Sequence, residues 1–248
     1  MGKTTGISWT ERTWNPVTGC DKVSTGCDNC YALTLAPRLK AMGSKRYEKD
    51  GDPRTSGPGF GVTIHPDLVD SPRHWRKPSM VFVNSMSDLL HAKVPLEFTD
   101  KVFATMNETP HTFQVLTKRS TRLKRVADRF KWTPNIWMGV SVENEDAMYR
   151  IDDLKQTPAA VKFLSCEPLL GPLPGLADML DGIDWVIVGG ESGPNYRPLD
   201  LGWAREVRDV CAETGTAFFF KQVGGIKSKS GGNLLDGNLY EEMPALAL

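Results

Sequence analysis

Ile136-Trp-Met-Gly-Val-Ser-Val-Glu143 is the stretch from which the rest of the chain can be read. At a period of two, Met138, Val140 and Val142 share one face, and Gly139, Ser141 and Glu143 share the other. The first face suits packing against helices. The second ends in a hydroxyl and a carboxylate and suits a polar barrel mouth. Five more β-rich runs of strand length have the same character: Met80-Val-Phe-Val83, Thr112-Phe-Gln-Val-Leu116, Val161-Lys-Phe-Leu164, Trp185-Val-Ile-Val188 and Ala217-Phe-Phe-Phe220. Helical patterns separate them, at 98–107, 121–130 and 203–214, and that alternation marks a parallel sheet covered by helices. Ser120 is placed to cap the second helix, and Cys211 falls on the apolar face of the third. A further strand is expected at residues 13–17 and another at 62–64. The natural closure is an α/β fold of (β/α) barrel type, complete or partly open; a doubly wound open sheet uses the same elements.

Each run ends in residues that a packed core would not choose: Asn84-Ser-Met-Ser-Asp88, Thr117-Lys-Arg119, Ser141-Val-Glu-Asn144, Ser165-Cys-Glu-Pro168, Gly189-Gly-Glu-Ser-Gly193 and Lys221-Gln222. Parallel α/β folds place ligands at the carboxyl ends of their strands. Lys118, Glu143, Glu167, Glu191 and Lys221 are therefore expected to face one cavity, with lysines and glutamates paired where they leave bulk water. Gly189 and Gly190 would let a ligand approach the backbone. Gly-Gly-Glu-Ser-Gly fails as a dinucleotide fingerprint, and Gly2-Lys3-Thr4-Thr5 fails as a phosphate loop because the upstream glycine and strand are missing.

Ahead of all this lies Cys20-Asp-Lys-Val-Ser-Thr-Gly-Cys27-Asp-Asn-Cys30, a polar loop holding three of the five cysteines. Thiols in such a loop have no core to fill and read as ligands. Structural zinc calls for four closed ligands, and a fourth would have to come from afar: Cys166, Cys211, His65, His74, His91 or His111. An iron-sulfur cluster held by three thiolates leaves one iron open to another ligand. After Cys30 a helical spacing runs over residues 31–42, with Pro37 expected to kink or restart it. Residues 43–61 read as a mobile polar insertion with almost nothing to bury, able to order over a ligand. Residues 224–248 read as a loop-rich tail.

The chain has 248 residues, 40% of them hydrophobic, and its 30 basic and 30 acidic side chains cancel. That length fits one barrel domain over 1–248, and the neutral balance excludes a global pull toward nucleic acid or membrane. No apolar run approaches the roughly 20 residues of a membrane helix, and the odd cysteine count speaks for thiolate chemistry in the cytoplasm. Local charge is another matter. Lys118, Arg119, Arg122, Lys124, Arg125, Arg129 and Lys131 stand against Asp128 alone, and Arg73, His74, Arg76 and Lys77 flank Trp75. Such clusters can neutralise phosphates beside an aromatic that stacks on a base, so a nucleic acid or nucleotide is the expected partner of the 118–131 stretch.

A barrel whose first strand leads into a three-cysteine loop resembles the radical S-adenosylmethionine superfamily. The strings Thr-Trp-Asn-Pro-Val-Thr-Gly-Cys20, Phe-Val-Asn-Ser-Met-Ser-Asp88, Val-Leu-Thr-Lys-Arg119, Gly-Val-Ser-Val-Glu-Asn144, Cys-Glu-Pro-Leu-Leu-Gly171, Val-Gly-Gly-Glu-Ser-Gly193 and Phe-Phe-Lys-Gln222 resemble the phage and prophage family of three-cysteine-motif radical-SAM-like proteins. The resemblance implies a 4Fe-4S cluster on Cys20, Cys27 and Cys30, S-adenosylmethionine on its open iron, an external electron donor, and a 5'-deoxyadenosyl radical that abstracts hydrogen from substrate. It implies cofactor contacts from Ser85, Ser87, Asp88, Ser141 and Glu143, with Tyr31 near the adenine. Lys118, Glu167, Glu191 and Lys221 are the catalytic candidates. The superfamily's commoner spacing is Cys-x3-Cys-x2-Cys with an aromatic before the third cysteine; here the first gap is six residues and Asn29 holds that place. The alternative is a zinc- or cluster-stabilised nucleic-acid-binding module without catalysis.

Overall fold

The computed structural model describes residues 5–227 and 230–244. In chain order its elements are β1 (Arg12–Trp14), β2 (Val17–Thr18), α1 (Tyr31–Ala41), β3 (Thr63–Ile64), β4 (Met80–Val83), α2 (Leu96–Asn107), β5 (Thr112–Thr117), α3 (Ser120–Val126), β6 (Ile136–Ser141), α4 (Tyr149–Lys155), β7 (Val161–Cys166), α5 (Leu176–Met179), β8 (Trp185–Gly189), α6 (Leu201–Thr214), β9 (Ala217–Gln222), β10 (Leu234–Leu235) and β11 (Asn238–Leu239). Seven strands form one parallel sheet in the order β1-β4-β5-β6-β7-β8-β9. Each strand lies beside its predecessor in that sheet, so the order never reverses as a doubly wound sheet requires. The sheet instead curls in one direction into a half-barrel, with β1 and β9 as its outermost strands and Glu241 of the C-terminal segment bridged to β9.

Alternation along the strands builds two cores. Met138, Val140, Val142, Leu164, Cys166, Val186 and Val188 face outward and are buried with Val102 and Phe103 of α2, Leu123 of α3, Ile151 and Leu154 of α4, and Val207 and Cys211 of α6. Inward, Trp137, Phe163, Trp185, Ile187 and Phe219 pack with Phe82 and with Trp9 from the N-terminal segment. Trp185 is the hub, with ring centroids 5.7 to 6.2 Å from Trp9, Trp137, Phe163 and Phe219, mostly edge to face. The C-terminal segment closes over this plug: Trp185 Nε1 donates to the Glu242 carbonyl at 2.8 Å, and Phe220 N–H donates to the Tyr240 carbonyl. The tail also carries the β10–β11 hairpin.

Several expectations are corrected. The strand foreseen at 13–17 divides at Pro16, which has no N–H for a ladder; β1 stays in the sheet, while β2 leaves it to pair antiparallel with β3. The segment at 62–64 therefore clips the entry to the cysteine loop and adds nothing to the barrel. α1 runs through Pro37 without restarting. Ser120 is the first residue of α3 and gives its hydroxyl to Asp153 Oδ2 at 2.7 Å, so it does not cap. A true side-chain cap occurs on α6, where Asp200 accepts from Gly202 N–H. Residues 43–61 have more to bury than their composition suggests: Tyr47 and Phe60 are buried with Ala32, Ala36 and Met86, and Asp50 accepts from Lys40 Nζ and Gly59 N–H. Two aromatic side chains suffice to anchor a polar loop of this length.

Candidate functional site

At the carboxyl ends of the strands lies a cavity of about 500 Å³. Its wall includes Cys20, Cys27 and Cys30 on one side, Lys118, Glu167, Glu191 and Lys221 on the other, and Trp9, Phe82 and Leu116 toward the aromatic plug. Ser85, Ser87, Asp88, Ser141 and Tyr31 line it too. Ser141 and Ser165 are register partners on β6 and β7, both nearly fully buried and both lining the cavity. The period of two thus brings Lys118, Glu167, Glu191 and Lys221 to one cavity, while Glu143 of the expected set does not line it.

Ionic partners follow the expected scheme with one exception. Lys221 Nζ meets Glu167 Oε1 at 2.9 Å, and Lys118 Nζ meets Glu143 Oε1. Glu143 sits just behind this wall, its side chain 1% exposed, and its other oxygen accepts from Arg150 at 2.9 Å. Burial opposes its ionisation, but the charges of Lys118 and Arg150 outweigh that and hold the carboxyl below the usual glutamate range. Glu191 is the exception, for Arg197 is its partner at 2.7 Å instead of a lysine. Burial again works against ionisation there, and hydrogen bonds from Arg197 and Asn29 lower the pKa.

The cysteine loop arches across these strand ends and is fastened along its length. At its start, Asp21 accepts from Thr55 Oγ1 at 2.7 Å, Ser56 Oγ at 3.0 Å and Lys93 Nζ at 2.8 Å. His91 also reaches Asp21, at 3.0 Å; Lys93 N–H donates to His91 Nδ1, which leaves the proton on Nε2 to face the carboxylate. In the middle, Ser24 Oγ donates to Glu143 at 2.9 Å, and Gly26 lies so close to Glu143 that a Cβ would collide with its side chain. At the end, Asn29 donates to Glu191 and to the Asn195 carbonyl, and Arg197 donates to the Thr25 carbonyl at 2.8 Å. Tyr31 opens α1 with a half-exposed ring whose hydroxyl donates to the Ser85 carbonyl.

Ser85 and Ser87 are occupied locally, with Asn15 and the Val17 carbonyl. Asp88 is buried and accepts from Thr117 Oγ1, Leu90 N–H, Lys118 N–H and Arg119. The two glycines differ: Glu167 covers Gly189, whereas Gly190 lines the cavity and also packs so closely on the Val223 carbonyl that a Cβ would collide with it. Two residues of the strand-end strings that were not singled out as candidates also line the cavity. Arg119 turns into the site, whereas its run of basic neighbours reads as a surface stripe. Asn84, in the left-handed region at φ 61°, lines the cavity with its Nδ2 buried and unpartnered; a non-glycine residue held there is costly, but nothing in the linear sequence signals backbone sign.

The three thiols line the cavity, but the expectation that they have no core to fill is corrected for Cys20 and Cys30, which also pack against the cluster of Ala32, Ala36, Tyr47, Phe60 and Met86. Cys27 lies near enough to Cys20 and to Cys30 for their thiolates to repel one another. Burial pushes the Cys20 thiol up to about 12, with Asp88 adding and Arg119 opposing, and burial also raises Cys30. Among the described residues no group of three or more His, Cys, Asp or Glu side chains is gathered as a site for a metal ion. A four-iron cluster takes one thiolate per iron, so it asks for thiols spread around a volume, not converging on a point. All three thiols line the same cavity, as either a cluster or a zinc ion would require.

The basic stretch 118–131 is not one surface. Lys118 and Arg119 enter the cavity, Arg122 donates to the carbonyls of His91 and Val94, and Arg129 pairs with Asp100 at 2.5 Å. Lys124 is exposed but pairs with Asp153 at 3.6 Å, and Arg125 and Lys131 are exposed. The second cluster is likewise engaged: Arg73 pairs with Asp70 and Glu108, and Trp75 lies under Arg12. Among the described residues no helix is long and apolar enough to cross a membrane.

The model of the family described as "Protein of unknown function (DUF5131)" matches residues 4–244. The chain belongs to that family. The match takes in every strand of the half-barrel, the cysteine loop and the closing tail, so family membership covers the whole cavity. No curated protein and no solved structure matches the chain.

Proposed function

We propose that the protein is a radical S-adenosylmethionine enzyme, with Cys20, Cys27 and Cys30 as ligands of a 4Fe-4S cluster and the adjoining cavity as the site of cofactor and substrate. The observation that carries this reading is the meeting of three thiols with a polar strand-end rim in one cavity of a parallel half-barrel. When bound and reduced, such a cluster supplies the electron that cleaves the cofactor's carbon-sulfur bond to give a 5'-deoxyadenosyl radical.

The chain's own residues have the remaining tasks of binding, orienting and excluding water. The Lys118–Glu143 and Lys221–Glu167 pairs offer both signs of charge to the amino and carboxylate groups of a methionyl moiety. Trp9, Phe82 and Leu116 give the apolar wall against which a radical is kept from solvent. Tyr31 stands beside the cysteines as a ring on which an adenine can rest. A base or nucleotide is the substrate class we retain, with the exposed Arg125 and Lys131 as what remains of the basic stretch to meet a phosphate. The rival, a zinc-stabilised nucleic-acid-binding module, has less support, since the basic stretch is divided.

Anaerobic reconstitution with iron and sulfide tests the reading. The expected result is a brown protein with about four irons per chain, lost when Cys20, Cys27 and Cys30 are all replaced by alanine. A colourless protein holding a single zinc would overturn it in favour of the module.

A further inference from the structure

We propose that Arg119 is the positioning residue that fixes the Cys20 thiolate and raises the reduction potential of the cluster, an inference that rests on the reading above. The Arg119 side chain is 12% exposed. Its Nη1 lies 3.4 Å from Cys20 Sγ and 3.0 Å from Asp88 Oδ2, and its Nη2 donates to the Asp21 carbonyl at 2.9 Å. One guanidinium thus holds the sulfur, the backbone next to it and a buried carboxylate at once. Lys118 and Lys221 spend their ammonium groups on Glu143 and Glu167 instead.

The cradle is built for this. Asp88 is itself oriented by the Thr117 hydroxyl at 2.9 Å to each oxygen and by the N–H groups of Leu90 and Lys118. Thr117 Oγ1 in turn accepts from Arg119 N–H at 2.9 Å, so the arginine's backbone and its tip are tied to the same pair of residues. A planar fork is suited to three simultaneous acceptors in a way an ammonium is not. The chemistry follows from the donor. An N–H···S bond and a nearby positive charge both favour the more negative, one-electron-reduced form of a thiolate-bound cluster, and hydrogen bonds to sulfur are among the determinants of its potential.

The test reconstitutes wild type, Arg119→Met and Arg119→Lys, counts iron and sulfide, and titrates each anaerobically with dithionite while following the cluster's electron paramagnetic resonance signal. All three are expected to load. The midpoint of Arg119→Met is expected to fall by at least about 59 mV, the one-electron equivalent of a tenfold change in the reduction equilibrium. Arg119→Lys, which keeps the charge and loses the fork, is expected to lie between the two. A loaded Arg119→Met with the wild-type midpoint overturns this inference and leaves the proposed function standing. Should the methionine variant fail to fold or load, an unshifted midpoint in Arg119→Lys overturns it equally. A wild type that takes up no cluster removes both.

Discussion

The two ends of the half-barrel use the same inward positions in opposite ways. Toward the amino ends, Trp137, Phe163, Trp185 and Phe219 fill the interior with Trp9 and Phe82. Two to six residues further along the chain, at or just past the carboxyl ends of those strands, stand Ser141, Glu143, Ser165, Glu167 and Lys221. An open sheet cannot close its interior with backbone hydrogen bonds between its edges, so it must be stoppered at one end if a cavity is to persist at the other. The aromatic end supplies mass and shape; the charged end supplies partners that hold one another and the cysteine loop.

That division can be broken by mutation. Trp185→Ala removes the hub of the plug and is expected to cost about 3–5 kcal/mol in urea unfolding, while hydrogen exchange over residues 24–27 stays at its wild-type rate after correction for global stability. Equal loosening of the loop would erase the distinction between the two ends. Glu143→Gln is expected to cost somewhat less, about 3 kcal/mol, because Lys118 and Arg150 lose their shared counter-charge. Here the exchange of residues 24–27 is expected to quicken beyond the global effect, since Ser24 and Gly26 rest on that carboxylate. Unchanged exchange would mean the loop is held without it.

The smallest effect concerns the clip between the ends. His65 is buried beside Thr18, whose hydroxyl proton goes to the Arg46 carbonyl, so His65 Nε2 donates to Thr18 at 2.8 Å. Burial, with the charge of Arg46, lowers its pKa. A histidine bound in its neutral form contributes stability that is complete above about pH 6.5 and is lost as pH falls below that value, because the unfolded chain takes up the proton first. Tm is expected to drop between about pH 7 and pH 5, with a flatter curve for His65→Gln. His91, also lowered chiefly by burial, retains part of the slope. Identical curves would remove His65 from the account.

Periodicity made the sheet legible. All six long strands lie where alternation placed them; β4 keeps its bounds, and β5, β7, β8 and β9 run one or two residues further at their carboxyl ends. The rim was legible for the same reason, since inward parity carries through from plug to mouth. Partnerships were not. Nothing adjacent in the chain tells that Glu191 would choose Arg197 over a lysine, or that Asp21 would collect Thr55, Ser56 and His91 from two distant segments. Arg119 was hidden by its neighbours, because a run of basic residues looks alike whether its first member points out or in. The insertion was misread because its many charged residues masked two aromatic anchors, Tyr47 and Phe60.

The fastenings of the cysteine loop have a kinetic meaning. Asp21, Glu143 and Glu191 grip it at three places that share no partner side chain. For the loop to swing clear, all three grips have to be open at the same instant, and the chance of that is the product of three separate chances. Each further 1.4 kcal/mol in any grip makes the event about tenfold rarer. Loosening one grip thus multiplies the frequency of exposure without altering what the closed loop binds. Variants at these positions are expected to change how fast the thiols are reached from solvent far more than how completely they are finally occupied.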